Sequence, residues 1–465
     1  MTAGTTSALR AAHAAAVDRL MASYRSIPVG ATVRLAKMSS NLFRARERVD
    51  RLGLDVSGLD EVLQIDPVAR TADVGAMCTY ETLVAAVLPY GLSPTVVPQL
   101  KTITVGGAVT GLGIESSSFR VGLVHESVVE MDVMTGAGEI VTAAATGPHA
   151  DLFHGFPNSF GTLGYATRIR LALEPVRAFV ALRHLRCHSV DELQERTRGL
   201  IAAGSLDGAS VDYLDGVVFN AGESYLTVGT KTDDPGPVSD YTGAAIYYRS
   251  LQSRTHDRLT TNDYLWRWDT DWFWCSRAFG AQQPLVRRLW PRRYRRSSFY
   301  WKLVALDRRW AIADRIEKLH HRTPLERVVQ DVEIPLERSA EFVDWFLDAV
   351  PIQPLWWCPL RERTTGPPTD EARYPLYPLV SGHTYVNVGF WSAVSSDPAA
   401  PGATNRAIEH EVSRLGGHKS LYSDSYYPRA EFGVRYGGER YRELKQHYDP
   451  DDRLLDLYAK AVQRR

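Results

Sequence analysis

The chain has 465 residues, which at about 150 per domain suggests roughly three domains or two larger ones. Its 44% hydrophobic and 23% charged residues suffice to bury several cores, which excludes an intrinsically disordered or fibrous protein. Lys plus Arg and Asp plus Glu balance at 54 each, which excludes a nucleic-acid binder that works by bulk charge.

In chain order, the stretch up to Arg25 reads as a helix, because Leu9, Ala12, Val17, Leu20, Met21 and Tyr24 fall near a helical period. It has no apolar signal core, and no run anywhere approaches about 18 apolar residues, so neither secretion nor a transmembrane span is expected. From Ile27 to about Arg170 short β-type runs alternate with Gly, Pro and Asp turns, with one helix over Glu81–Tyr90 ended by Pro89 and Gly91. MTGAGEIV is a hairpin signal, with Gly136 and Gly138 in the turn. After Pro175, strand-like runs (FVALRHLRCH, GVVFNAGESYLTVGT, ERVVQDVEIP, TYVNVGFW) mix with helical ones (DELQERTRGLIAAG, SAEFVDWFLDAV). From about Arg406 the chain is helical again. The pattern is α+β: a first domain over residues 1–176, an inserted α+β domain over 177–405, and a C-terminal return over 406–465. Cys78, Cys187, Cys275 and Cys358 lie far apart with no C-x-x-C spacing, which suits a reducing cytosol with no disulfide framework and no metal site.

The segment Pro98–Gly122, PQLKTITVGGAVTGLGIESSSFRVG, carries Gly106, Gly107, Gly111 and Gly113, then three serines and Gly122. Such glycines permit positive φ and close approach of the backbone to a ligand, and Ser116, Ser117 and Ser118 add donors for an anion such as pyrophosphate. The alternative on spacing alone is a glycine-rich bend packed on a strand. It is not the dinucleotide fingerprint, which needs G-x-G-x-x-G opening a helix after a strand. SFGTLGYATRIRL adds a weaker second signal, with Gly161 and Gly164 bracketing Thr162.

Taken with the hairpin and DLFHGFPNSFGTLGYATRIRL, the segment TVGGAVTGLGIESSS resembles the FAD-binding domain of vanillyl-alcohol-oxidase-type flavoenzymes (the PCMH type), and within them the delta-24 sterol reductase family. PLWWCPL, VVQDVEIP, LYSDSYYPRAEF and YDPDDRLLDLYAKAV are similar to that family's later segments. The Arg-rich composition makes the chain look more like an actinobacterial group that saturates the methylene a methyltransferase places mid-chain on a phospholipid acyl group. The resemblance implies a two-domain FAD-binding fold with an inserted cap domain. It implies FAD contacts at Thr104, Gly106, Gly107, Gly111, Gly113, Glu115, Ser116, Ser117, Ser118 and Gly122, with Gly161, Thr162 and Gly164 beside the isoalloxazine. The first phosphate loop corresponds to RLAKMSSNLFR, with Ser39, Ser40 and Asn41 and no flavin-linking His, so the FAD is expected to be non-covalent. His125 reads as a structural surface histidine. NADPH is the reductant the resemblance implies, although no dedicated nicotinamide domain is visible.

Alternation across a strand puts His383, Tyr385, Asn387 and Trp391 on one face, and Val386, Val388 and Phe390 on the other. In VVQDVEIP, Val329, Asp331 and Glu333 oppose Val328, Gln330, Val332 and Ile334. The polar faces look either at solvent or, under a cap, at the flavin. An isolated alkene has no carbonyl to accept electrons, so protonation must precede or accompany hydride delivery, and the resulting tertiary cation needs a dry aromatic pocket. Candidate donors are Tyr385, Tyr426 and Tyr422, with Asp331, Glu333 and His383 behind them; Trp356 and Trp357 are candidate walls, and ordinary packing is the alternative for each.

Arg287–Tyr300, RRLWPRRYRRSSFY, concentrates six Arg with interleaved aromatics, which suits either an anionic membrane surface or a solvated face, with nucleic acid a poor third. The expectation is a cytoplasmic protein peripheral to the inner face of the cell membrane, with a lipid substrate and a lipid methyltransferase as a partner. A sterol side-chain reductase, an alcohol or polyol oxidase of the same fold, and a non-catalytic flavin-binding scaffold are the alternatives.

Overall fold

The computed structural model describes residues 3–37, 43–44, 53–310, 325–363 and 372–464. The opening helix, Ala3–Ser26, buries Ala16, Leu20 and Tyr24, and the Tyr24 hydroxyl donates to the Gly136 carbonyl at 2.6 Å. That bond lands on the expected hairpin, whose turn closes with Gly138 at φ +79°, a conformation glycine adopts without steric cost.

The first sheet holds β1 (Val62–Asp66), β2 (Thr71–Gly75), β3 (Leu92–Pro94), β4 (Val128–Met134), β5 (Ile140–Ala144) and β6 (Tyr165–Pro175). Their lateral order is β1-β2-β6-β4-β5, all antiparallel, with β3 paired to the end of β6. The long β6 is central because its alternation buries Ala166, Ile169, Leu171 and Leu173. The expected helix over 81–90 forms as Tyr80–Val87 plus a 3-10 turn, capped by the Thr79 side chain accepting from the Thr82 N–H, and it ends at Gly91 with φ +68°.

Three residues after β6 the chain enters a second, eight-stranded antiparallel sheet. It contains β7 (Phe179–Cys187), β10 (Tyr213–Asn220), β11 (Glu223–Thr232), β12 (His256–Thr260), β13 (Leu325–Pro335), β14 (Leu355–Arg361), β15 (Thr384–Ser395) and β16 (His418–Lys419). The order is β12-β7-β11-β10-β14-β15-β13-β16; β8 (Ser205–Leu206) and β9 (Ala209–Ser210) make a separate small hairpin.

One face of this sheet is apolar. Val328, Val332 and Ile334 of β13 and Val386, Val388 and Phe390 of β15 share a core with Phe342 and Phe346 of helix Ser339–Ala349. Each fully buried Phe contributes roughly 2–3 kcal/mol, which fixes the helix on that side. The opposite face carries Asp331 and Trp391 and turns toward the first sheet's glycine segment. The C-terminal helices Arg429–Arg435, Gly438–Tyr448 and Leu457–Ala461 run back to the first sheet, where Lys445 Nζ donates to the Thr162 carbonyl at 3.3 Å. Among the described residues no helix is long and apolar enough to cross a membrane.

Candidate active site

The glycine segment is a short helix rather than a bend. Val105–Thr110 is α-helical, with the Thr104 side chain accepting from the Gly107 N–H at 3.2 Å. Close approach, not positive φ, explains the glycines: a Cβ on Gly106 would lie 2.9 Å from the Ala76 carbonyl oxygen, and one on Gly113 would lie 2.8 Å from Val124 Cγ2. The second glycine motif does use the left-handed region, at Gly161 (φ +73°) and Gly164 (φ +143°). Lys460 Nζ donates to the Phe160 and Gly161 carbonyls at 3.1 Å and locks this turn.

A cavity of 840 Å³ opens on both motifs, a size suited to a large organic ligand. Thr104, Gly106, Gly107, Gly111, Gly113, Gly161 and Gly164 line it. Its lining also carries Arg34, Lys37, Arg44 and Lys460, against a single carboxylate, Asp331, among the described lining residues. The Arg44 guanidinium is buried over the Phe160 ring, 4.6 Å from its centroid. Cations beside a glycine-bared backbone suit a diphosphate, and the flat aromatic walls beyond suit a ring system, so this donor set fits FAD.

One wall of the cavity is rich in aromatic rings. Trp272, Phe273, Trp391 and Tyr422 surround Asp331, with Phe273 and Trp391 ring centroids 4.4 Å apart. Trp391 Nε1 donates to the Tyr422 hydroxyl at 2.9 Å, and Tyr422 in turn hydrogen-bonds the Asp331 carboxylate. Asn387 Nδ2 donates to Asp331 Oδ1 at 3.1 Å. Burial outweighs these hydrogen bonds and pushes the Asp331 carboxyl up to about 6. Glu333, two residues along the same face, is held well above its ordinary value by burial and by the charge of Asp331. Of the polar face of β13, Asp331 looks into the cavity, whereas Glu333 is buried outside its lining.

Other expected residues lie elsewhere. The Tyr385 hydroxyl accepts the Val380 N–H at 3.2 Å, and that of Tyr426 accepts from Arg464 at 3.1 Å; neither ring lines the cavity. Trp356 packs behind Phe273, while Trp357 points to the opposite face, its Nε1 donating to Thr197 Oγ1 at 3.1 Å. Glu115, Ser116, Ser117, Ser118 and Gly122 are also outside the lining, because their polar groups are engaged within the protein. Ser117 donates to the Thr95 carbonyl, Ser118 accepts from the Glu115 N–H, and Ser116 is bonded to Glu115 and Tyr264. Gly122 has φ +78° beside the Glu126 carboxylate. Thr162 donates to the Ser159 carbonyl, one turn from the lining. Ser39, Ser40 and Asn41 fall outside the described residues. His125 is buried, not at the surface, edge-on to Tyr374 at 4.3 Å, and burial lowers its imidazole to about 3.

Glu115 belongs to a buried ionic cluster that the motif did not reveal. Arg267 Nη2 lies 3.1 Å from both Glu115 oxygens and 2.9 Å from Asp215 Oδ2, while Tyr264 faces its guanidinium at 4.1 Å. Asp215 is on β10, so this cluster joins the second sheet to the end of the glycine segment. Trp272 and Phe273 were missed as well; both adopt left-handed backbone (φ +47° and +56°), a strained conformation for aromatic residues. The signal for both was the aromatic run LWRWDTDWFW, in which a lone Arg must be paired and the rings exceed what one strand can pack.

A family model described as FAD binding domain matches residues 8–144, which include the glycine helix. The chain is 24% identical to the mouse Delta(24)-sterol reductase over 427 residues, covering 86% of this chain and 76% of that one. The Delta(24)-sterol reductase of Arabidopsis thaliana is 24% identical over 458 residues, with 89% and 77% covered. Rice Cytokinin dehydrogenase 2 is 30% identical over 161 residues, or 34% of this chain and 28% of that one. The protein is an FAD-dependent oxidoreductase. Its similarity to delta-24 sterol reductases extends over most of the chain, and its α+β architecture is that of an FAD-binding fold.

The close contact at Gly106 yields one expected result for this oxidoreductase. A Gly106→Val substitution sets side-chain atoms against the Ala76 backbone at a cost of about 1–3 kcal/mol. FAD binding should weaken by roughly tenfold or more, at about 1.4 kcal/mol per tenfold, in a fluorescence titration of the apoprotein. Wild-type affinity would remove the glycine helix from the cofactor site.

Proposed function

We propose that the protein saturates an isolated carbon–carbon double bond in a lipid, and that its substrate is the mid-chain methylene of a phospholipid-linked fatty acyl chain. The observation that carries this reading is the Asp331–Tyr422 pair beside the rings of Trp272, Phe273 and Trp391, in the same cavity as the glycine helix. A polyol would need several polar partners there; a hydrocarbon needs an acid and dry walls. Bound FAD, in its reduced form, supplies the hydride. Asp331, kept protonated to higher pH by burial, holds the proton, and Tyr422 and Asn387 fix its orientation. The faces of Trp272, Phe273 and Trp391 exclude water and stabilise positive charge developing on the alkene by about 1–2 kcal/mol each.

In this reading residues 1–176 and 406–465 hold FAD non-covalently, and residues 177–405 form the substrate-side cap. NADPH is the reductant, and a methyltransferase-type reaction on the acyl chain supplies the methylene. A second reading, a sterol side chain with a trisubstituted alkene, is favoured by the similarity to the Delta(24)-sterol reductases and would use the same acid.

The test is anaerobic. The holoprotein is reduced with NADPH, then mixed either with a phospholipid bearing a mid-chain methylene or with a sterol bearing a side-chain alkene, and flavin reoxidation and saturated product are followed. Reoxidation with methyl-branched product supports the proposal, and reoxidation by the sterol alone shifts the substrate. Reoxidation by neither, with rapid reoxidation by oxygen and an alcohol, would support an oxidase instead.

A further inference from the structure

The basic aromatic segment divides into two sets of arginines. Arg287 and Arg295 are buried and structural: Arg287 pairs with Asp271 at 2.5 Å and donates to the Ala244 and Ala245 carbonyls at 3.0 and 2.8 Å. Arg295 donates to the Thr242 and Trp290 carbonyls at 2.7 and 2.8 Å. Arg296 pairs with Glu81. Those three pin the segment to the fold and are not free to meet a surface. Arg288, Arg292 and Arg293 are exposed, and among the described residues only Arg292 takes an acidic partner, Asp240, at 3.2 Å in solvent.

Apolar exposure coincides with these charges. On helix Pro284–Leu289, Leu285 is 77% and Leu289 83% exposed, and Val286 is also exposed. Leu285, Arg288 and Leu289 follow at i, i+3 and i+4, so they share one face. No Asp or Glu occurs between Pro284 and Arg296. No described residue covers the two leucines. Large exposed apolar side chains beside exposed arginines, with Trp290 and Tyr294 half-buried between them, are the composition of a surface that meets acyl chains and phosphates together. Two successive ring contacts link the patch to the cavity lining. Trp290 sits 6.3 Å from Tyr300, which stacks at 6.3 Å on Trp272, and Trp272 lines the cavity.

We propose that Pro284–Tyr294 is a docking face for an anionic lipid bilayer, with Leu285 and Leu289 entering the acyl region and Arg288, Arg292 and Arg293 meeting lipid phosphates. Charge complementarity selects an anionic over a neutral bilayer, and the paired leucines select a bilayer over a nucleic acid or a merely solvated face. The inference goes beyond the proposed reaction, since docking is read without turnover.

Full-length holoprotein is sedimented with phosphatidylcholine vesicles with or without phosphatidylglycerol, across a salt series. Binding is expected only with phosphatidylglycerol and should weaken as salt shortens the screening length from about 10 Å at 0.1 M to about 3 Å at 1 M. Arg288→Ala and Arg293→Ala should each weaken it about fivefold, and Leu285→Glu with Leu289→Glu by on the order of tenfold or more. The flavin-to-protein ratio, unchanged in every variant, shows that the fold is intact. Equal binding to neutral vesicles, unaltered binding of the leucine variant, or loss of flavin on replacing these leucines would overturn the proposal. So would a lipid-free dimer that only the leucine variant dissolves, or tighter binding to RNA than to vesicles. Failure of alkene reduction alone leaves the docking face standing.

Discussion

Asp331→Asn is expected to lower alkene reduction by about 10²–10⁴-fold while FAD stays bound, because it removes the proton and keeps the shape. The pH dependence carries the sign. The Asp331 carboxyl is raised to about 6, so the acid form is present below that value and lost above it. Wild-type kcat/KM should therefore fall as pH rises through about 6. In the Asn variant that limb should vanish, and the residual rate should be flat over the same range. Glu333 stays neutral to higher pH than an ordinary glutamate, but it lies deeper, so it cannot restore the limb. Single-turnover reoxidation of reduced holoprotein by the alkene across pH measures this. An Asn variant with wild-type turnover would transfer the proton to Tyr422, the only other hydroxyl on a ring that lines that wall among the described residues.

The second large effect concerns stability. Arg267 is fully enclosed by Glu115, Asp215 and the faces of Tyr264 and Trp268. Replacing it with Met keeps the volume but leaves two carboxylates out of water without a counter-charge. Breaking a buried pair in this way costs about 3–5 kcal/mol. Arg267→Met should lower the melting temperature by several degrees, and the loss should shrink at acid pH, where Glu115, already raised by burial, takes up a proton. The triple replacement Arg267→Met, Glu115→Gln, Asp215→Asn should recover much of the loss, since no charge is then stranded. Calorimetry on the three proteins separates a charge effect from a packing one; equal losses in the single and triple variants would identify packing.

Much of the architecture was legible because it is written in local periodicity. The opening helix, the hairpin at Gly136–Gly138, and the alternation of β13 and β15 all follow from spacing within a dozen residues. The alternation even separated Asp331 and Trp391 from the valines that face the core. What spacing could not give was the destination of the polar face, or which polar groups the protein would satisfy internally. Ser116, Ser117 and Ser118 look like phosphate donors in the chain, yet each finds a partner inside the fold, one of them Tyr264, 148 positions away. The Glu115–Arg267 contact spans 152 positions, and no window links its ends. Tyr385 shares the right face of β15, but it stands four residues from Gly389, the register partner of the cavity-lining Asp331, and its hydroxyl is taken by the Val380 backbone. Face could be read from sequence; position along the strand relative to the cavity could not.

The consecutive left-handed residues Trp272 and Phe273 have a consequence for how this protein can change. Each is held about 1–3 kcal/mol above relaxed backbone. Glycine at either position would ease that tension and delete the ring that bounds the cavity. Sturdiness and a water-tight reaction chamber thus pull in opposite directions at two adjacent codons, and a lineage drifting toward greater robustness would be expected to lose its chemistry there first.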